Sequence, residues 1–155
     1  MIQLALTARE ANNINKLIGL LETQVTDADY DHSLLCDIPP FGATLETIKN
    51  QTQPVCALGH ANRNPLLFDS FENSLVIIGD GIFGRGLYTH AFSIHAYKDK
   101  DGRTLEAENV TRTMAIERLK EILMNHTKKD IMGLDGVIVD DIPQGLYQAY
   151  ARVSL

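Results

Sequence analysis

Apolar residues recur at helical spacing in two segments of the chain. Near the N-terminus, Thr7 and Glu10 have the spacing of a capping box, in which each side chain bonds the other residue's backbone N–H. The residues that follow predict an amphipathic helix over 8–24, whose apolar face contains Ala11, Ile14, Leu17, Ile18 and Leu21. A second helix is predicted over 110–125, with Lys120 and Glu121 outward and an inward face of Ile116, Leu119, Ile122 and Leu123.

Weaker patterns predict shorter elements between and after these helices. They are an irregular connection over 25–41 ending at Pro39-Pro40, a short helix over 43–50, a buried strand over 75–78, a helix over 86–97 that competes with a strand, a turn over 98–102, a strand over 136–140 and a closing helix over 144–152. The prediction is a single compact α+β domain spanning 1–155, rich in helix and with a small sheet.

Composition restricts the classes of function. The chain has 155 residues, 45% of them hydrophobic, which is enough for a real core. Its first residues lack the basic start of a signal peptide, and no apolar run is long enough for a membrane span, so we predict a cytoplasmic protein without membrane association. The net charge of −6 argues against general nucleic-acid binding.

The candidate chemistry centres on a cysteine near the start of a short predicted helix. Proline is tolerated at the first helical position, so Pro54 predicts a helix capped by Thr52 or Gln53 that places Cys56 in its first turn. The unpaired N–H groups there can lower a thiol pKa, and the thiolate is the reactive form. His60 follows one turn later on the same face.

Two interpretations of this helix remain open. In the first, Cys56 is a small buried hydrophobe, and Ala57, Gly59 and Ala61 let another element approach closely. In the second, Cys56 is a nucleophile and a later histidine, His95 or His90, is its base, in the chain order of papain-like folds. A polar residue that orients the base would then come from Asn62, Asn64 or Asp69.

Three ligand motifs are weaker alternatives. His32-x3-Cys36 with Cys56-x3-His60 supplies two imidazoles and two thiols, a ligand set that zinc accepts. The G-x-G-x-x-G spacing of residues 79–84 follows a predicted strand, but the next segment lacks the second strand of a dinucleotide site, so a glycine-rich surface loop is the preferred interpretation. Residues 97–102 with Glu108 overlay a calcium loop that lacks its first carboxylate.

One segment resembles a known group of proteins. Val55-Cys56-Ala57-Leu58-Gly59-His60-Ala61, then Ile82-Phe83-Gly84, then a helix that opens with Asn109-Val110-Thr111 is similar to a group of small uncharacterised bacterial and phage proteins with a Cys-x-x-Gly-His/Trp-Ala helix. The resemblance covers about residues 54–124. It implies a microbial or phage setting and no particular reaction.

The leading hypothesis is a non-enzymatic accessory domain that binds a protein or a small ligand, without a cofactor or a metal. Its candidate binding residues are His60, Asn62 and Asn64. The alternative is a cysteine-dependent hydrolase or transferase, with Cys56 as nucleophile and the helix start stabilising an oxyanion.

Overall fold

Two long helices form the centre of the fold and pack against each other. The computed structural model describes residues 2–33, 52–63, 77–129, 131–132 and 138–139. Helix α1 is Ala8–Thr23, α2 is Ala57–Arg63 and α3 is Arg112–Asn125. The long helices predicted over 8–24 and 110–125 are therefore confirmed, with ends that differ by one or two residues. The predicted helices over 43–50 and 144–152 lie outside the described residues.

Threonine caps begin both long helices. The Thr7 side chain accepts a hydrogen bond from the Glu10 N–H at 3.1 Å, and Glu10 Oε1 accepts from the Thr7 N–H at 2.8 Å, which confirms the capping box. Thr111 accepts from the Met114 N–H at 3.2 Å. Each cap satisfies an orphan N–H of a first turn, a contribution of about 1 kcal/mol.

The core contains the apolar faces of α1 and α3, together with buried residues of α2 and of the segment 82–92. Buried α1 side chains are Ile14, Leu17, Ile18, Leu20 and Leu21, and those of α3 are Ala115, Ile116, Leu119 and Ile122. Burying a residue of leucine size contributes about 1.5–3 kcal/mol, so this contact is a large part of the folding free energy. No helix in the described part of the chain is both long and apolar enough to cross a bilayer.

Within the described residues, four two-residue strands form two small sheets. Ala5–Leu6 (β1) pairs in parallel with Thr127–Lys128 (β2), and Ile131–Met132 (β3) pairs antiparallel with Ile138–Val139 (β4). Strand β4 confirms the described part of the strand predicted over 136–140. The fold is a helix-rich α+β domain with a small sheet.

The apolar run before the glycine-rich segment forms a helix instead of the predicted strand. Ile77–Ile82 is a π-helix, whereas residues 75–76 of the predicted strand lie outside the described residues. A short apolar run has no periodicity that separates a buried strand from a buried helix. Asn13 of α1 donates to the Ile82 carbonyl at 3.0 Å and so satisfies an acceptor at the end of this helix.

The glycine-rich surface loop predicted over residues 79–84 was also wrong, because its glycines are buried. A Cβ on Gly79 would lie 3.0 Å from the Tyr88 Cβ and 3.3 Å from Phe92, so this glycine allows a close crossing. The crossing partner is a second π-helix, Tyr88–Phe92, whose first N–H donates to Asp80 Oδ1 at 2.9 Å. The glycine spacing therefore serves close packing.

The helix predicted over 86–97 is confirmed for Tyr88–Phe92 and wrong for its C-terminal part. The chain turns over residues 93–96, and Ile94 is 46% exposed. Tyr97 is buried and lies outside a helix. The turn predicted over 98–102 is confirmed: Lys98 pairs with Thr104, and Gly102 has a φ of +78°.

Candidate functional site

Cys56 immediately precedes the first residue of α2. Val55 forms a parallel bridge with Tyr30, and the Cys56 carbonyl accepts the first helical hydrogen bond, from the His60 N–H at 3.0 Å. The predicted start at Pro54 with a cap at Thr52 or Gln53 was therefore wrong, since strand-like pairing of Val55 delays the helix to Ala57. Cys56 itself occupies the cap position.

Burial dominates the chemistry of the thiol. The Cys56 side chain is 5% exposed, and its burial raises the thiol pKa to about 11, although the N–H groups of Gly59 and Leu58 oppose the rise. The expected influence of the helix start is thus present, but the cost of desolvating a thiolate exceeds it. A thiol with this pKa is almost wholly protonated at neutral pH.

His60 anchors α2 to the preceding segment. Its Nε2 lies 2.8 Å from the Asp29 carbonyl oxygen, and a carbonyl only accepts, so this nitrogen carries the proton. Burial lowers the His60 pKa, and the Asp29 carbonyl opposes that change. The same carbonyl accepts from the Val55 N–H at 3.2 Å. The His60 side chain and the Tyr30–Val55 bridge therefore hold the start of α2 against the same segment.

The other predicted site residues lie in different surroundings. His95 is exposed, and its N–H bonds the Ser93 hydroxyl, while the His90 carbonyl accepts from Arg118. Asn62 is buried in α2, and the remaining site candidates, Asn64 and Asp69, lie outside the described residues. Within the part of the chain that the structure describes, no hydrogen bond joins the Cys56 thiol to a histidine ring.

A buried network beside Cys56 was not foreseen. The Tyr30 hydroxyl lies 3.0 Å from His32 Nδ1, and His32 Nε2 lies 2.9 Å from the Ser93 carbonyl oxygen. Burial raises the pKa of Tyr30, and the nearby Cys56 adds to that rise. The alternation Tyr30-Asp31-His32 was the available signal, because residues two apart share a face of extended chain.

The network continues through an aromatic ring to a cation. The His32 ring meets Tyr97 edge-on, with 5.2 Å between ring centres. The Arg118 guanidinium lies 4.5 Å above the Tyr97 ring centre, and its Nη1 donates to the carbonyls of His90 and of Ala96, the latter at 3.0 Å. Arg118 thus joins α3 to the turn at residues 93–96.

Beyond Arg118 the surface opens into a groove of about 360 Å³ along one face of α3, here called the α3 groove. Its lining residues are Tyr97, Lys98, Met114, Glu117, Arg118 and Glu121. Met114, Glu117 and Glu121 follow one another at three- and four-residue steps and so share a helix face. Met124, three residues further on, is 83% exposed and extends that face.

The described residues test the zinc and calcium motifs only in part. They contain no cluster of three or more His, Cys, Asp or Glu side chains that could hold a metal ion, and Cys36 of the zinc hypothesis lies outside them. In the calcium-like segment, Asp99 Oδ1 accepts from the N–H groups of Asp101 and Arg103 at 2.8 and 3.0 Å. This is the bonding of an ordinary Asp-Gly turn.

Comparison with known proteins finds no matching family model, no matching curated protein and no matching solved structure.

The burial of Cys56 leads to a prediction for thiol labelling. In a Cys36→Ser background, we expect native Cys56 to react with iodoacetamide at pH 8 at least about 100-fold more slowly than in the urea-unfolded protein, because its pKa is raised to about 11. The rate against pH should have a midpoint near that value. A midpoint below 8.5 would instead favour the cysteine-enzyme alternative.

Proposed function

We propose that the protein is a small accessory domain that acts by binding a partner protein in the α3 groove. The observation that carries this proposal is the groove itself: an open surface lined by Glu117 and Glu121, with the exposed Met124 beside it on the same helix. The buried thiol of Cys56, with its raised pKa, supports binding over nucleophilic catalysis. The predicted microbial or phage setting and cytoplasmic location are part of the same proposal.

The charges in the groove favour a basic segment of the partner. Arg118 donates to backbone carbonyls, and Lys98 Nζ donates to Thr104 Oγ1 at 2.9 Å, so both cations are used within the protein. Glu117 is exposed, and within the described residues it forms no ion pair. The whole chain carries a net charge of −6, which adds to the attraction of a basic partner.

The shape of the groove favours a peptide over an enclosed small molecule. Small-ligand sites are concave and mostly apolar, and they bury most of the ligand surface. Here carboxylates and a lysine line an open groove. Met114 and Met124 supply flexible apolar contacts on the same helix face, which suits a protein segment with apolar and basic residues.

Selection from a random peptide library tests this proposal. We expect the enriched peptides to be rich in Lys and Arg and to bind Glu117→Arg about tenfold more weakly than the unsubstituted protein. Glu108→Arg is the matched control, because it makes the same charge change at an exposed residue outside the groove. Selected peptides that bind both variants equally well would overturn the assignment to the groove, as would a failure to enrich any peptide.

A further inference from the structure

The His32 ring is buried between two segments that are far apart in the sequence. It is 3% exposed, and its two nitrogens are occupied by Tyr30 on one side and by the Ser93 carbonyl on the other. Nε2 faces a carbonyl and must donate, so the neutral ring carries its proton there and Nδ1 accepts from the Tyr30 hydroxyl. The Nε2 bond to Ser93 joins residues 30–32 to the turn at 93–96 and is kept in both protonation states, whereas a proton on Nδ1 makes the buried ring a cation.

The groups that face His32 give a cation little compensation. Tyr30 and Tyr97 are its ring neighbours, and the Arg118 cation lies on Tyr97. Among the described residues, the acid that raises the His32 pKa is Asp31, whose Oδ1 already accepts from the N–H and the hydroxyl of Ser33. A buried charge without a hydrogen-bonded counter-ion is costly.

We propose that His32 is a proton-sensitive latch that holds the turn at residues 93–96, and with it the Tyr97 wall of the α3 groove, against the Tyr30 segment. A second proton has only Nδ1 to occupy, and the Tyr30 hydroxyl cannot then donate to that nitrogen. The hydroxyl must turn its hydrogen away, and the charged ring is left buried. Opening of the latch exposes the ring to water, which stabilises the cation.

The sign of the pH dependence follows from the direction of the shift. Burial lowers the His32 pKa below its usual 6.5, so the open state binds the proton more readily than the closed state. The contribution of the neutral ring to the closed state is complete above the ordinary pKa of 6.5. As the pH falls from 6.5 toward the lowered pKa, the ratio of closed to open molecules falls by up to tenfold per pH unit. Below that pKa the ratio no longer changes.

The consequence for partner binding rests on the proposed function, whereas the latch itself does not. Tyr97 is the shared element, since its ring contacts His32 and lines the groove. We expect acid to loosen this wall and to weaken binding. A test of the latch therefore uses the full-length protein without any partner, so that the latch and the binding role can fail separately.

Amide hydrogen exchange provides the test. The Ala96 N–H donates to the Ser93 carbonyl at 3.0 Å, and the Leu105 N–H donates to the Tyr97 carbonyl at 2.9 Å, so both amides report the turn. After correction for intrinsic rates, their protection should fall between pH 7 and pH 5.5, by up to about eightfold. The fall should be absent in His32→Gln, which cannot titrate. An equal fall in both proteins, or none in the unsubstituted protein, would overturn the latch.

Ring nitrogen NMR of the unsubstituted protein keeps the proposal testable if His32→Gln does not fold. At pH 7.5 the His32 shifts should report a neutral ring with hydrogen on Nε2, and the midpoint of protonation should lie below pH 6.5. A positively charged ring at neutral pH would contradict the proposal, and so would a neutral ring with its hydrogen on Nδ1.

Discussion

Gly84→Ala should destabilise the fold by about 3 kcal/mol, measured as the free energy of urea unfolding, because two independent costs coincide at this residue. Gly84 has a φ of +118°, which side-chain-bearing residues rarely adopt. Its added Cβ would also overlap Leu6 Cδ2, and Leu6 is completely buried. Relief of that contact requires a new Leu6 rotamer inside the packed core, or movement of the backbone.

Two further glycines are matched controls. Gly102 also has a positive φ, of +78°, but no heavy atom lies within 4 Å of the place that an added Cβ would take, so Gly102→Ala should cost only about 1 kcal/mol. Gly19 lies inside α1 with equally open surroundings, and Gly19→Ala should stabilise the protein by about 0.5–1 kcal/mol. If Gly84→Ala costs no more than Gly102→Ala, the close contact with Leu6 is not a constraint.

Arg118→Ala should cost about 3 kcal/mol of unfolding free energy. The side chain is 19% exposed, and its loss leaves the carbonyls of His90 and Ala96 without their donor and removes the cation above Tyr97. A hydrogen bond from a charged group contributes about 1.5–3 kcal/mol, and a partly buried cation–π contact contributes about 1 kcal/mol. The turn at residues 93–96 should lose amide protection before the core does.

Two other substitutions separate the parts of this interaction. Arg118→Lys keeps the charge but lacks the planar guanidinium that lies over the Tyr97 ring while its Nη1 donates to both carbonyls, so it should recover less than half of the loss. Glu121→Gln removes only an exposed ion pair with a 3.6 Å N–O distance and should change stability by less than about 0.5 kcal/mol. A loss in Glu121→Gln as large as in Arg118→Ala would assign the effect to the ion pair.

The long helices were predictable because their signals are local. A threonine cap and apolar residues at helical spacing need no information from the rest of the chain, and α1 and α3 follow both signals. Strand β1 was missed although Ile2, Leu4 and Leu6 alternate with more exposed residues. A strand of two residues is too short for its alternating pattern to be recognised in the sequence. Its partner, β2, is also distant in the sequence.

The site was less predictable because its properties depend on distant neighbours. The position of Cys56 at the start of a helix could be predicted, and so could the approach of backbone N–H groups to the thiol. Its burial could not, since this depends on which elements cover α2. The contacts of His32 with Ser93 and of Arg118 with Tyr97 join segments that no local pattern relates. Sequence reasoning therefore found the reactive residue types but not their environment.

The pairing of β1 with β2 has a consequence for the order of events during synthesis. Ala5 and Thr127 are register partners about 120 residues apart, so the first strand is made long before the segment that it pairs with. At the usual 5–20 residues per second, about 6–25 s separate their appearance from the ribosome. During that interval α1 has its capping box but lacks α3, the helix that covers its apolar face. Closure of the core is thus a late event, and until then the apolar face of α1 is not covered by α3.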